Sequence, residues 1–92
     1  MTLRRLFTGT AFERDLRRMK KQGRDLDKIE AIVALLREDA LLPPRYRVHP
    51  LRGEWTGHWD CHVEPDWLLI YKVTDDEVRL ARTGTHADLF DG

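Results

Sequence analysis

Apolar residues recur at two different periods in the two halves of the chain, and the change between them separates its elements. In the first half Phe12, Leu16 and Met19 stand at i, i+4 and i+7, on one face of a helix, leaving Arg14, Arg17, Arg18 and Lys21 largely on the outer face. Thr10 and Glu13 have the Thr-x-x-Glu spacing of a capping box at its start, and Gly23 closes it. Asp25 then starts a second helix with the stripe Leu26, Ile29, Val33 and Leu36, ended by the double proline of "LLPPR" at 41–45. Upstream, "LRRLFT" at 3–8 reads as a short first strand.

From Tyr46 onward the period falls to two. Strands are predicted around 46–51 and over 56–64, 67–74 and 77–83, with "TDDE" at 74–77 as a tight hairpin turn. Within 58–64, His58, Asp60, His62 and Glu64 face one way and Trp59, Cys61 and Val63 the other. "WLLIYKV" at 67–73 begins apolar on both faces, as a central strand does. The order βααβββ implies an α+β fold, two N-terminal helices packed on one face of a mainly antiparallel sheet, with an extra β-segment near His49. The opposite face is expected to be open and to carry His62. With no repeat or linker, and with a chain that buries only roughly 60–70% of its unfolded surface, one domain over residues 1–92 is expected.

Composition narrows the class. Hydrophobic residues at 41% and charged residues at 35% suit a globular chain and exclude a disordered one. No run approaches the roughly 18 apolar residues of a membrane helix, and "MTLRRLFTGT" lacks the apolar core of a signal peptide. The single cysteine, Cys61, fits a reducing compartment, so a cytoplasmic location with no membrane partner is expected. The formal net charge of zero hides an asymmetry: residues 1–52 carry 13 Lys/Arg against 7 Asp/Glu, and residues 53–92 carry 3 against 9, giving +6 and −6. The densest positive run, "RDLRRMKKQGR" at 14–24, is either a phosphate-facing surface or an ordinary solvated helix face.

Three of the four histidines sit beside turn residues or strand ends: His49 before Pro50, His62 before "EPD", and His86 in "RTGTHADLF". Such positions favour exposure, and an exposed imidazole can act as acid or base near neutrality. Taken singly each reads as a surface residue bonded to backbone; convergence on the open face would make them a site. A metal is not expected. Cys61 and His62 point to opposite faces, and His58 and His62 lie roughly 13 Å apart along a strand. Cys61, facing inward, is expected to be an inert thiol. Trp67 and Phe90 are either core residues or stacking platforms for a nucleobase, whereas Trp55 and Trp59 are better core candidates.

The motifs "HPLRGEW", "DCHVEPDWLLIYKV" and "LARTGTHADLF", preceded by "FERDLRRMKKQGRDLDKI", resemble the YafQ-type branch of the RelE/ParE toxin superfamily over nearly the whole chain. The resemblance implies a ribosome-dependent mRNA interferase that needs no cofactor and is neutralised by a cognate antitoxin. It assigns His49, His62, Asp66 and His86 to catalysis and Trp67 and Phe90 to the substrate. Ribosome and message binding then falls to Arg17, Arg18, Lys20 and Lys21. His86 corresponds to the terminal histidine expected to be the general acid, His49 or Asp66 to the base, and protonated His62 to the group facing the phosphate. The competing reading is a non-catalytic toxin of the same fold, a gyrase-inhibitor type or an inactive antitoxin-binding relative, for which the histidine set has no purpose.

Overall fold

A computed structural model describes residues 3–90. Strand β1 (Arg5–Thr8) is followed by helices α1 (Thr10–Lys21) and α2 (Asp27–Arg37), and then by strands β2 (His49–Pro50), β3 (Trp59–Glu64), β4 (Trp67–Val73) and β5 (Glu77–Gly84). A short helix α3 (His86–Phe90) ends the described chain. The sheet order is β1-β5-β4-β3-β2, antiparallel except where β1 runs parallel to β5. This is the expected α+β architecture, with the strand near His49 reduced to two residues between two 3-10 turns, Pro44–Tyr46 and Gly53–Trp55.

The helices form where the apolar stripes predict, with different ends. Helix α1 is capped by Gly9 with no side-chain hydrogen bond, because Glu13 instead accepts from the Thr8 hydroxyl at 2.7 Å; the Thr10 capping box does not form. At the other end Gly23, with φ +83°, completes a Schellman closure: Arg24 N–H donates to Met19 O at 3.1 Å and Gly23 N–H to Lys20 O at 3.0 Å. Asp25 lies before α2 and accepts from the Asp27 N–H. Helix α2 stops at Arg37, well short of the prolines, because Asp39 takes the left-handed conformation at φ 58° and Ala40 N–H reaches back to Leu35 O. Aspartate is an uncommon residue for that position, so the stop left no glycine to read.

The core lies between the helices and one face of the sheet, where Phe12, Met19, Ile29, Ile32 and Leu36 meet Cys61, Val63, Trp67, Leu69, Tyr71, Val78 and Leu80. Directly paired antiparallel residues share a face, so the register sets Asp60 and His62 beside Ile70 and Leu68 on the opposite side. That side is not simply open: Leu68 and Ile70 are as buried as the core, giving the polar residues around them an apolar floor. Trp59 departs from its expected place, being 40% exposed near the sheet edge, where only the two-residue β2 lies beyond it. Burial pushes the Cys61 thiol up to about 12, which makes it an inert core residue.

One polar knot inside α1 ties the helix layer to the end of β5. Asp15, 2% exposed, accepts from Arg82 Nη2 at 3.1 Å and from Thr83 N–H at 3.2 Å, and pairs with Arg18 at 3.2 Å. Arg18 in turn donates to Thr83 O and pairs with Asp88 of α3 at 3.5 Å. It is therefore engaged inside the fold and is not a free cation for phosphate, whereas Arg17, Lys20 and Lys21 are exposed. Gly84 lies in this crowding: a Cβ there would meet Arg18 Nη2 at 2.8 Å and Asp88 at 3.0 Å, so those side chains would have to shift. Replacing Asp15 with alanine leaves Arg82 and Thr83 without their acceptor and is expected to cost about 2–3 kcal/mol, reduced from a fully buried pair because the arginines are partly solvated. Urea unfolding of Asp15→Ala should show a lower midpoint at unchanged slope; an unchanged midpoint would contradict this role for the knot.

Candidate active site

The tight connection between β3 and β4 and the helix after β5 meet at one end of the sheet. The two residues linking the strands are Pro65 and Asp66, and Asp66 Oδ1 accepts both the backbone N–H of His86 at 3.1 Å and its ring Nδ1 at 2.7 Å. His86 is held at the first residue of α3 by a reciprocal cap, Thr85 N–H to Asp88 Oδ2 at 3.0 Å and Asp88 N–H to Thr85 Oγ1 at 3.1 Å. His86 thus stands at the start of a capped helix. The bonds from His86 hold the Asp66 carboxyl below the ordinary carboxylate range, so it is an anion at neutral pH.

His49 and His62 approach from the other side. His62 lies on β3 with Nδ1 3.3 Å from Pro65 O, and its ring centroid is 5.7 Å from that of His86 and 6.5 Å from that of His49. His49, in β2, pairs with Asp60 in the sheet register; its Nδ1 lies 3.2 Å from Arg47 O and 2.8 Å from Asp60 Oδ1. Arg47 is left-handed, at φ 48°, as it closes the 3-10 turn Pro44–Tyr46, and that turn brings its carbonyl to the His49 ring. All three imidazoles therefore have Nδ1 against an oxygen. A carbonyl or carboxylate can only accept, so the proton sits on Nδ1 and each Nε2 is left for a substrate.

Asp60 was visible in the strand alternation, but its role was not. It is 3% exposed, and its Oδ1 makes no angle-satisfying hydrogen bond among the described residues although it lies close to His49 Nδ1. Burial raises its carboxyl above the ordinary range, opposed by the charges of His49, His62 and His86. Burying an acid with an unsatisfied oxygen costs stability, and here it sets a carboxyl close to the histidine cluster.

The remaining predicted residues divide. Phe90, 45% exposed, shares α3 with His86 and is available for stacking. Trp67 is not: it is wholly buried, and its Nε1 donates to Thr83 Oγ1 at 2.8 Å, so it belongs to the core under the site. His58 stays apart, packed edge-on to Trp55 at 5.3 Å with its Nδ1 unpartnered among the described residues. No group of three or more His, Cys, Asp or Glu among the described residues is arranged to hold a metal ion.

The chain as a whole is similar to known proteins. Residues 4–91 match the family model described as the bacterial toxin of type II toxin-antitoxin systems, YafQ. The mRNA interferase toxin YafQ of Escherichia coli K12 is 48% identical over 80 residues, covering 86% of this chain and 87% of that protein. The crystal structure of YafQ from Escherichia coli BL21(DE3) superposes with a TM-score of 0.89 at 43% identity, over 95% of this chain and 98% of that one. The same toxin in the Escherichia coli DinJ-YafQ toxin-antitoxin complex gives 0.88 at 43% identity, over 96% and 98%. With a family match over nearly all its length and a fold shared over 95% of it, the chain belongs to the YafQ family of type II toxin-antitoxin toxins.

Proposed function

We propose that this chain is a ribosome-dependent mRNA interferase, the toxin of a pair whose antitoxin neutralises it, acting in the cytoplasm by metal-independent acid–base chemistry. The observation that carries the reading is the set of three imidazoles, each anchored through Nδ1, spaced 6.5 and 5.7 Å apart at one end of the sheet. A purely protein-binding toxin gives no reason for such an arrangement. RNA supplies its own nucleophile, so the protein must take a proton from the 2′-hydroxyl, stabilise the phosphate and protonate the departing 5′-oxygen. The P–O5′ bond breaks as the 2′-oxygen bonds to phosphorus, leaving a 2′,3′-cyclic phosphate and a 5′-hydroxyl.

The environments separate the roles. His49, with Nδ1–H held toward Arg47 O and the buried Asp60, presents Nε2 as the base. His86 has its Nδ1 on the ionised Asp66, which fixes the ring and makes it the acid when protonated. Because Asp66 already accepts two bonds from His86, it orients that acid and leaves the base to His49. His62, between them and anchored to a carbonyl, donates Nε2–H to a phosphate oxygen when protonated. Phe90 stacks a flanking base, and the exposed Arg17, Lys20 and Lys21 of α1 supply the cationic surface for ribosomal RNA. The antitoxin presents an acidic segment to the same surface.

Single-turnover cleavage of ribosome-bound message should follow a bell-shaped pH profile. His86→Ala should lower the rate on the order of 100-fold or more and remove the alkaline limb. Asp66→Asn keeps an acceptor for Nδ1 but removes the anion beside the acid, so cleavage should slow with the ring still held. A His86→Ala rate within a few-fold of wild type across the profile would exclude this mechanism.

Asp60→Asn should separate function from stability. A carboxyl raised in the folded state destabilises the fold fully above its folded value, and the penalty vanishes below its unfolded one. Around neutrality the variant should therefore melt higher, on the order of 4 °C, with a gain that shrinks in acid, while cleavage slows at least about 10-fold. His49 on β2, His62 on β3 and His86 on α3 are the groups whose charges oppose that shift. A lower melting temperature with unchanged cleavage would make Asp60 structural only.

A further inference from the structure

A groove of about 810 Å³ runs from His62 and Pro65 to the face of α2, with Lys28, Arg45, Tyr46 and Arg47 on its walls. That is within the range of roughly 300–1,000 Å³ typical of sites that enclose a small ligand. None of the roles derived so far uses it. Yet its inner end is a catalytic histidine, and an RNA strand cut between two nucleotides must leave the scissile phosphate in both directions.

The chemistry of the walls suits one nucleotide. Arg45 Cζ lies 4.7 Å from the centre of the Tyr46 ring, and Arg45 Nη2 donates to the Tyr46 hydroxyl at 3.0 Å, so the guanidinium is fixed over the ring and partly exposed to the groove. Tyr46 is itself braced against the core, which makes the pair a rigid platform. Unpaired bases stack on aromatic rings and on arginine planes. Arg47 follows directly, exposed and without an acid partner among the described residues, and its left-handed backbone also brings its carbonyl to His49. The acids nearby do not cancel these charges. Glu64 is neutralised by Arg24 at 2.9 Å and Lys28 at 2.8 Å, leaving Asp27 against two free arginines.

We propose that this groove is the subsite for the nucleotide next to the scissile phosphodiester, its base stacked on the Arg45–Tyr46 pair and its outer phosphate on Arg47. The inference rests on the ribonuclease reading of the histidine cluster. It makes the turn Pro44–Arg47 a determinant of which positions in the message are cut, since bases differ in stacking strength.

The test is single-turnover cleavage of ribosome-bound message by Arg45→Lys, Arg47→Gln and Arg47→Lys, with the cut positions mapped and His86→Ala run alongside. Arg45→Lys keeps the charge but loses the plane, and is expected to slow cleavage roughly 10-fold and to flatten the preference among cut positions. Arg47→Gln should slow it to a similar degree, whereas Arg47→Lys, which still pairs with phosphate, should stay within about 3-fold of wild type. Both positions are exposed, so matching melting temperatures check that the variants fold. If both Arg45→Lys and Arg47→Gln cut at wild-type rates and positions while His86→Ala is inactive, the subsite is wrong and the histidine site stands. The same conclusion follows if they lose only affinity for the antitoxin, which would make the groove a protein-binding surface. A fully active His86→Ala would instead remove the ribonuclease reading on which the subsite rests.

Discussion

Three hydrogen-bond acceptors placed against three Nδ1 atoms are the constraint on which the rest of this site depends. An imidazole free to rotate and change tautomer is a poor acid or base, because the proton must be on the right nitrogen when the substrate arrives. Here each ring is held by a different oxygen: Arg47 O for His49, Pro65 O for His62 and Asp66 Oδ1 for His86. Two of the three are main-chain carbonyls, so the site is built largely from where the backbone turns. The left-handed Arg47 and the Pro65–Asp66 connection are the turns that do it.

The third ring depends in addition on a polar tie between the helix layer and the end of β5. Asp15 binds the end of β5 through Thr83 and Arg82, and Arg18 carries the tie on to Asp88, the cap of α3. Trp67 fills the space beneath, its indole N–H on Thr83 Oγ1, which itself donates to Leu68 O. The position of His86 is therefore set from α1, some 70 residues earlier in the chain, as much as from its own helix. Rigid support of this kind keeps reacting groups within the small tolerance that acid–base chemistry allows.

Much of this was legible in the chain. The i, i+4, i+7 stripe of Phe12, Leu16 and Met19 and the alternation of 58–64 put both helices on one side and His62 on the other. The convergence of His49, His62 and His86 could be named but not measured, since strand order and register decide it. The misreadings share a cause: a side chain's fate depends on a neighbour distant in sequence. Trp67, open between core residue and stacking platform, is core because Thr83 takes its N–H, and Arg18, read as a cation for the ribosome, is engaged by Asp15 and Asp88. Trp59, on the apolar face by alternation, lies at a position the helices leave uncovered. Helix α3 was missed because a five-residue helix has no periodicity to read, although its Thr85-x-x-Asp88 cap was in plain sight.

Which nitrogen carries the proton decides the role of each ring, and nitrogen-15 NMR of the labelled imidazoles reads that directly. Free neutral histidine prefers the Nε2–H form, so the anchoring described here must reverse the preference. In alkaline solution, where the rings are neutral, His49, His62 and His86 should each show the Nδ1–H tautomer, and Asp66→Asn should leave that of His86 unchanged. Finding Nε2–H at any of the three would mean that its Nδ1 is not held by the oxygen beside it, and the division into base, phosphate donor and acid would fall with it.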